Sequence, residues 1–294
     1  MPETVLRLAH RRPYAAGPLL SFLAARAVPG VEECRDGGYR RSLRLPGGAG
    51  VVAVMPPDPG EGQLTVRLDL EDPGDLGAAV ERCRRLLDLD ADPRAVDAVL
   101  GADPLLAPLL RLRPGLRVPG HPDGFELAVR AVLGQQVTVK GARTLAARLV
   151  AKLGSPLAKP AGPVTHLFPS AEAVADDDLS GVGLTGTRVR ALRALAGAVA
   201  GGLALGPDAD RDETRRRLLA LPGIGPWTAA YVAMRALGDP DAIPLTDLGL
   251  RQALRTLGAP DDARPVAARA ERWRPWRAYA AMHLWAHLTG APTG

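Results

Sequence analysis

The sequence has few of the residues on which several kinds of site depend. Its 294 residues include only two cysteines, Cys34 and Cys83. Two isolated cysteines are too few for a disulfide framework, a four-cysteine zinc site or an iron–sulfur cluster. We therefore interpret both as small apolar side chains in a cytosolic protein with reduced thiols.

Long apolar runs are missing as well. The longest uncharged apolar run covers 14 residues, 194–207, and glycines interrupt it. A membrane-spanning helix needs about 20 apolar residues, and the first residues lack the charged-then-apolar pattern of a secretory signal. We therefore expect no membrane partner.

Lysine and aromatic residues are scarce. Only Lys140, Lys152 and Lys159 are lysines among the 37 basic residues, and aromatic residues make up 4% of the chain. A codon bias explains the shortage of lysine better than a function does. The hydrophobic fraction of 47% indicates a folded protein of two or three domains, and the net charge of +5 favours a polyanionic partner.

The first 92 residues show strand patterns. Residues 64–70 alternate apolar and polar side chains, which is the period of a strand with one buried face. Residues 51–55 form an apolar run after a glycine-containing turn, and 39–45 are a third strand candidate. With helical patterns over 19–28 and 76–89, this region is predicted to be an antiparallel sheet with two helices and no chemistry of its own.

From about residue 93 the patterns are helical, so we expect no strand there and interpret 154–170 as a proline-rich loop. Apolar residues recur at helical spacing over 96–112, 125–133, 137–153, 171–176, 187–201, 213–221, 227–237, 248–257, 265–272 and 276–288.

The most informative stretch is LPGIGPW, which begins at residue 221. Gly223 and Gly225 leave the N–H groups of a turn open to an anion, and Pro226 suits the first position of a helix. The positive end of that helix and the turn then face one point, as a phosphate requires. Such a helix-hairpin-helix positions nucleic acid without reading its sequence. An ordinary helix corner with glycines for packing is the alternative.

Aromatic residues cluster behind this turn, and all four tryptophans lie in the last 70 residues or so. Trp227 and Tyr231 are four residues apart and share a helix face. Their rings can stack on an extruded base, or hold a cationic base by cation–π attraction. For Trp273 and Trp276 a place in the core is an equally good interpretation.

Asp247 stands at the start of a later helix, where a capping role would be a sufficient explanation. A carboxylate near a DNA-binding hairpin has a second possible task. Breaking an N-glycosidic bond develops positive charge on the sugar, and a fixed carboxylate stabilises that charge while it orients water. One carboxylate suffices when alkylation has already made the leaving base cationic, whereas charge-neutral bases would leave much less readily.

Taken together, these residues resemble the helix-hairpin-helix DNA glycosylase superfamily, and within it the 3-methyladenine DNA glycosylase II (AlkA) type. The similarity spans nearly the whole chain. It is carried by SFLAARAV at 21–28, RPGLRVPG at 113–120, VRAVLGQQV at 129–137, LPGIGPWTAAY at 221–231 and ERWRPWRAYAAMHLW at 271–285.

The resemblance implies an α+β fold, in which an N-terminal antiparallel sheet with two helices precedes two all-α lobes. The active-site cleft is expected between the lobes. The implied domains are 1–92, then 124–239 with the hairpin, and a second helical domain made of 93–123 plus 240–294 that carries the acid.

The resemblance also implies roles for single residues. Asp247 would be the catalytic aspartate. The flipped base would be held by Trp227, Tyr231 and Trp285, with Gln135 at the pocket's edge, and backbone N–H groups of Gly223, Gly225 and Thr228 would bind a DNA phosphate. No cofactor or catalytic metal is implied, but a Na⁺ or K⁺ ion is expected at the carbonyls of Leu219, Leu221 and Ile224.

Two positions depart from the family pattern. Members that also cut the strand have a lysine where this chain has Trp227, so no Schiff-base lyase step is expected. Gln136 stands at the position of the residue that fills the gap in the duplex, which is leucine in the best-known member. We expect Gln136 to act as a polar wedge.

The expected function is hydrolytic removal of alkylated bases from double-stranded DNA, by a monomer in the cytoplasm at the bacterial nucleoid. The alternatives are a non-catalytic damage-binding protein and a glycosylase for oxidised or deaminated bases. His283 and His287 have the i, i+4 spacing of a metal pair. Without a third ligand in the sequence pattern, we interpret them as surface or groove-facing residues.

Overall fold

A five-stranded antiparallel sheet forms the amino-terminal part of the protein, in the strand order β1-β5-β4-β3-β2. The computed structural model describes residues 3–56 and 62–290. Its strands here are β1 (Thr4–Ala9), β2 (Glu32–Arg35), β3 (Gly38–Leu45), β4 (Gly48–Val54) and β5 (Gln63–Leu70).

One face of this sheet packs on two helices, α1 (Ala16–Arg26) and α2 (Leu76–Leu86). The alternation of apolar and polar residues in β5 marks one buried face, as predicted, since Leu64, Val66 and Leu68 lie in this core. The predicted sheet with two helices is therefore confirmed.

Two of the five strands were not predicted. β1 is an edge strand with a single buried residue, and β2 has only four residues. An edge strand that stays mostly exposed gives a weak apolar pattern, because little of it needs to be buried. β1 pairs with β5, which lies far away in sequence, whereas β2 pairs with the next strand, β3, in a tight hairpin.

The remainder of the chain is mainly helical, as predicted. Its helices are α3 (Pro93–Leu100), α4 (Ala107–Leu112), α5 (Gly124–Leu133), α6 (Val139–Leu153), α7 (Ala171–Asp176), α8 (Gly186–Ala200), α9 (Arg211–Leu219), α10 (Pro226–Arg235), α11 (Leu248–Thr256), α12 (Ala263–Ala270) and α13 (Arg277–Thr289). No helix in the described ranges reaches the length and apolarity that a membrane crossing requires.

These helices surround two hydrophobic cores, and α10 contributes to both. Ala229 and Val232 belong to the core that contains α5, α6 and α8, whereas Ala233 and Met234 belong to the core of α4, α11 and α13. The helix that follows the glycine turn is therefore fixed on two sides, which makes it a rigid support for side chains.

The expectation that strands end at residue 93 was wrong. Residues assigned to a proline-rich loop contain a two-stranded hairpin, β6 (Ser155–Ala161) and β7 (Val164–Leu167). Leu157 and Val164 pack against Ala49 and Val51 of β4. Prolines mask the strand pattern of β6, and the hairpin is stabilised by this contact with the first sheet rather than by its own sequence.

Candidate active site

The turn between α9 and α10 contains the predicted phosphate-binding glycines. Gly223 has φ = 77°, a conformation that side chains rarely adopt, and a Cβ there would lie 2.8 Å from the Cβ of Ala191. Gly225 is the N-cap of α10 with φ = −99°, and a Cβ on it would meet nothing within 4 Å. The fold therefore requires glycine at 223, whereas Gly225 leaves open space in front of the turn.

The first turn of α10 presents backbone N–H groups that lack a helical acceptor. Pro226 occupies the first helical position and has no N–H. Ala229 donates to the Gly225 carbonyl at 3.1 Å, so Trp227 and Thr228 precede the hydrogen-bond ladder. Free N–H groups at the positive end of a helix dipole suit an anion.

Gln135 connects the end of α5 to this turn. Its Nε2 donates to the Gly223 carbonyl at 2.9 Å and to Oγ1 of Thr228 at 3.0 Å. Thr228 is buried, so the amide of Gln135 holds the hairpin against the segment that continues into Gln136. A place for Gln135 at the edge of a base pocket stays a prediction.

Gln136 forms an exposed corner between α5 and α6. Its φ is 56°, which is uncommon for a residue with a side chain. The chain turns there into α6, whose first turn is capped by the hydroxyl of Thr138. An exposed side chain on a corner beside the hairpin is suitably placed for a wedge, and that role also stays a prediction.

Three aromatic rings form what we call the aromatic slot: Trp227, Tyr231 and Trp285. Trp227 and Tyr231 stack with ring centroids 5.2 Å apart and planes at 8°. Trp285, from α13, meets Tyr231 edge-on at 6.3 Å and 61°. All three are half-buried, so the structure brings together the three rings predicted for the base pocket.

The other two tryptophans have structural places. Trp273 is fully buried and donates from Nε1 to Oδ2 of Asp103 at 2.8 Å. Trp276 meets Tyr279 edge-on at 5.7 Å and packs against the same core. For these two residues the interpretation as core is the correct one.

The Asp247 carboxylate lies against the aromatic slot. Nε1 of Trp227 donates to its Oδ2 at 2.7 Å, and Nε1 of Trp285 donates to its Oδ1 at 2.9 Å. Oδ1 also accepts the backbone N–H of Leu250 at 2.8 Å, which makes Asp247 the N-cap of α11. The capping role and the approach to the slot are thus both present in one side chain.

These contacts fix the carboxylate without neutralising it. The three donors are two indoles and one amide, and in the described parts of the chain Asp247 forms no ion pair. A carboxylate has about four lone-pair sites, so one site on Oδ2 remains for water or for a positive charge in front of it. The negative charge is therefore held in one orientation and stays available.

Two arginines that the sequence patterns did not predict for this site lie close to Tyr231 and Phe22. Nη1 of Arg235 donates to the Tyr231 hydroxyl at 2.7 Å. The guanidinium of Arg26 lies 3.7 Å from the ring centre of Phe22, and that of Arg235 lies 4.9 Å from the same centre. Arg235 is four residues after Tyr231, a spacing that signals contact on a helix, but nothing in the sequence relates α1 to this place.

The two guanidiniums act on the phenol between them. Burial by itself raises the pKa of a tyrosine hydroxyl, but the charges of Arg235 and Arg26 outweigh it and lower the pKa of Tyr231 below its ordinary value. The Tyr231 hydroxyl therefore lies beside positive charge, whereas the indoles of Trp227 and Trp285 contact the Asp247 carboxylate.

His283 is not a surface or groove-facing residue, and that interpretation was wrong. It is buried, and burial with the nearby charge of Arg113 lowers its pKa to about 4. Within the described ranges no group of three or more His, Cys, Asp or Glu side chains converges as metal ligands would. Burial also raises the pKa of the Cys83 thiol to about 12, which fits a small apolar side chain.

Two family models match the chain, one after the other. The model described as the AlkA N-terminal domain matches residues 5–123. The model described as the HhH-GPD superfamily base excision DNA repair protein matches residues 129–278, slightly more than half of the chain.

Similar proteins carry names from the same family. A Mycobacterium tuberculosis protein named "Probable bifunctional transcriptional activator/DNA repair enzyme AlkA" is 50% identical over 96% of this chain, which spans 57% of that relative's length. The Escherichia coli protein named DNA-3-methyladenine glycosylase 2 is 36% identical, with 93% of this chain and 94% of that protein covered.

The fold is also found in a solved structure described as a 3-methyladenine DNA-glycosylase from Archaeoglobus fulgidus. The two chains superpose with a TM-score of 0.80 at 23% identity, and the match covers 98% of each. At this identity the comparison establishes the fold.

Proposed function

Because the chain belongs to the HhH-GPD superfamily of base excision DNA repair proteins and begins with an AlkA N-terminal domain, we propose that it is a DNA glycosylase. Its substrate is double-stranded DNA with alkylated bases such as 3-methyladenine, and its reaction is hydrolysis of the N-glycosidic bond. It acts as a monomer in the cytoplasm.

One observation carries this proposal: the Asp247 carboxylate, which forms no ion pair within the described residues, is fixed by the same indoles that line the aromatic slot. A base turned out of the duplex would enter the slot, and its sugar would then lie near Asp247. As the bond to the base breaks, positive charge develops on the sugar ring. A carboxylate held in advance stabilises that charge without reorganising.

The turn at Gly223 and Gly225 complements this chemistry by binding the sugar-phosphate strand. The backbone N–H groups of Gly223, Gly225 and Thr228 supply the contacts, and the helix that begins at Pro226 carries Trp227 and Tyr231 in the slot. Phosphate contact and base pocket are therefore parts of one rigid element. Binding through phosphates predicts an affinity that falls steeply with salt.

We propose that the reaction stops at base removal. A strand-cutting step needs an amine that forms a Schiff base with the sugar, and α10 offers Trp227 where such a lysine would stand. The chain has three lysines, of which Lys152 is engaged by Asp177 and Asp178. Gln136 would fill the space left by the flipped base.

Two further proposals concern organisation. We assign the domains to 1–92, 124–239, and 93–123 plus 240–294. We also assign a Na⁺ or K⁺ ion to the carbonyls of Leu219, Leu221 and Ile224. The Leu221 carbonyl accepts the Ile224 N–H at 3.2 Å, which leaves one lone pair for an ion. Such an ion would be coordinated by carbonyl lone pairs and would attract a bound phosphate.

The decisive experiment compares the chain with Asp247→Asn on methylated duplex DNA. Asparagine caps a helix as well as aspartate does, so α11 should stay folded, but the asparagine NH₂ cannot accept the Trp227 N–H that Oδ2 accepts at 2.7 Å. The DNA affinity is expected to stay unchanged. Release of alkylated bases, identified by chromatography, is expected to fall by about 10²–10³-fold.

A non-catalytic damage-binding protein would show tight binding and no base release even before the substitution. Duplexes that contain hypoxanthine or 8-oxoguanine serve as parallel substrates. Faster release from either than from methylated DNA would identify a glycosylase for deaminated or oxidised bases instead.

A further inference from the structure

The corner that carries Gln136 has a backbone conformation that its surroundings must enforce. Gln136 has φ = 56°, a left-handed conformation that costs free energy in a residue with a side chain. Such conformations persist where neighbouring groups over-determine them. The contacts that fix this corner therefore also decide where the exposed side chain of Gln136 stands.

The peptide group that precedes Gln136 is held by Arg188. The angle φ of Gln136 is set by how this peptide group is rotated, and the oxygen of the group is the carbonyl of Gln135. Nη2 of Arg188, from α8, donates to that oxygen. The guanidinium therefore acts directly on the angle that is strained.

Arg188 is well placed to hold the corner, because its own backbone is anchored. It is the third residue of α8, and its N–H donates to the hydroxyl of the N-cap Thr185 at 3.4 Å. Ala191 and Leu192, one turn later, are buried in the core that contains α5 and α6. Arg188 is half-buried and forms no ion pair among the described residues. A charged donor on a fixed helix makes a strong hydrogen bond to a carbonyl.

The same helix also supports the phosphate-binding turn. Ala191 lies so close to Gly223 that a Cβ on the glycine would be 2.8 Å from the Cβ of Ala191. The side chain of Gln135 donates to the Gly223 carbonyl at 2.9 Å and to Oγ1 of Thr228 at 3.0 Å. The helix α8 thus contacts both the corner and the hairpin, and Gln135 joins the two.

We propose that Arg188 is a positioning residue for base flipping, which holds Gln136 at a constant place relative to the phosphate-binding turn. This inference rests on the proposed glycosylase function and on the wedge role of Gln136, and it deepens both. Arg188 acts through the Gln135 carbonyl and takes no part in the hydrolysis at Asp247.

A correctly placed wedge matters most when the target base is paired. Turning a base out of the duplex costs free energy, and it costs less when the base has no partner. A side chain that enters the vacated space offsets this cost best if it is already in position when the base leaves. A loosened corner should therefore slow the removal of a paired base more than that of an unpaired base.

The test compares single-turnover rates of base release by the full chain and by Arg188→Met on two duplexes. In one duplex a single 7-methylguanine is paired with cytosine, and in the other it stands opposite an abasic-site analogue. We expect the rate on the paired duplex to fall about tenfold relative to the rate on the unpaired duplex. Both rates are measured on one preparation at saturating protein, so a smaller folded fraction cancels from their ratio.

Three further variants separate this role from general support of the fold. Arg188→Lys keeps a charged donor and should restore most of the ratio. Arg193→Met removes a guanidinium of the same helix that donates to the Ala175 carbonyl at 3.3 Å, and it should leave the ratio unchanged. Gln136→Ala should lower the ratio by itself, and adding Arg188→Met to it should cause little further loss.

Several results would overturn the inference. Equal losses on both duplexes would identify Arg188 as a phosphate contact or a support of the fold. The same selective loss in Arg193→Met, no recovery in Arg188→Lys, or a full additional loss in the Gln136→Ala background would also contradict it. A full chain that releases 7-methylguanine from neither duplex contradicts the proposed function itself, and the inference with it.

Discussion

The protein contains two groups of buried or half-buried charges. In one group opposite charges are in contact, and in the other they are kept apart. Between the first sheet and α5, two carboxylates meet two guanidiniums. Glu126 accepts Arg41 at 2.5 Å and Arg130 at 2.8 Å, and Glu32 accepts Arg130 at 2.9 Å. We call these four side chains the ionic cluster. In the aromatic slot, by contrast, acid and guanidiniums are kept apart by rings.

The difference teaches what each group does. In the ionic cluster every charge has an opposite charge in contact, so its field is cancelled nearby and its effect is to join β3 to α5. In the slot the carboxylate and the arginines share no contact in the described parts of the chain, so their fields extend into the space a base would occupy. Balanced charges serve the fold, and separated charges suit the proposed chemistry.

The largest effect is expected when the ionic cluster is broken. In Glu126→Gln the two arginines lose half of their buried counter-charge, which should lower the free energy of unfolding by about 3–5 kcal/mol. Urea unfolding measures this loss. The rate of base release per folded molecule should change little, and a selective loss of activity at unchanged stability would break the comparison.

The pH dependence sharpens the same prediction. Burial alone would raise the pKa of Glu126, but Arg41 holds it well below its ordinary value of 4.5. The carboxylate therefore stabilises the fold above pH 4.5, and this contribution is lost as the pH falls toward the depressed pKa. The acid-induced loss of stability should be smaller in Glu126→Gln.

In the slot we expect a substitution to lower the rate of base release while it changes stability little. Trp285→Phe keeps an aromatic ring but removes the N–H that Asp247 accepts at 2.9 Å. A hydrogen bond to a charged group contributes about 1.5–3 kcal/mol, so base release should fall by about tenfold or more with little change in unfolding. Trp276→Phe is the matched control, because Trp276 contacts Tyr279 instead of the acid.

The sequence predicted the slot better than the charges around it. Trp227 and Tyr231 follow from helical spacing, and the place of Gly223 follows from a turn that only glycine fits. Trp227 and Asp247 are 20 residues apart, in α10 and at the start of α11, so helical spacing does not predict their contact.

The parts that were missed depend on tertiary partners. β6 and β7 lie in a proline-containing segment whose pattern is too short to identify a strand, and they are held by β4 across the sheet. Arg26 and Arg235 are two of 34 arginines, and the sequence does not say which of them lack a carboxylate partner. The i, i+4 spacing of His283 and His287 does not reveal that α13 is buried on more than one side.

The smallest effect on stability is expected in the hairpin turn. Its two glycines can be compared directly, because Gly223 is needed for the fold and Gly225 leaves room for a phosphate. Gly223→Ala places a side chain at φ = 77° and within 2.8 Å of Ala191, which should lower the free energy of unfolding by about 1–3 kcal/mol. Gly225→Ala meets neither obstacle, so its stability should be that of the full chain.

The Cβ at position 225 in this variant would project into open space in front of the turn. Affinity for undamaged duplex DNA should therefore fall, while the free energy of unfolding stays unchanged. If Gly225→Ala bound DNA as tightly as the full chain, the phosphate would have to bind elsewhere. The turn, like the ionic cluster, would then only stabilise the fold.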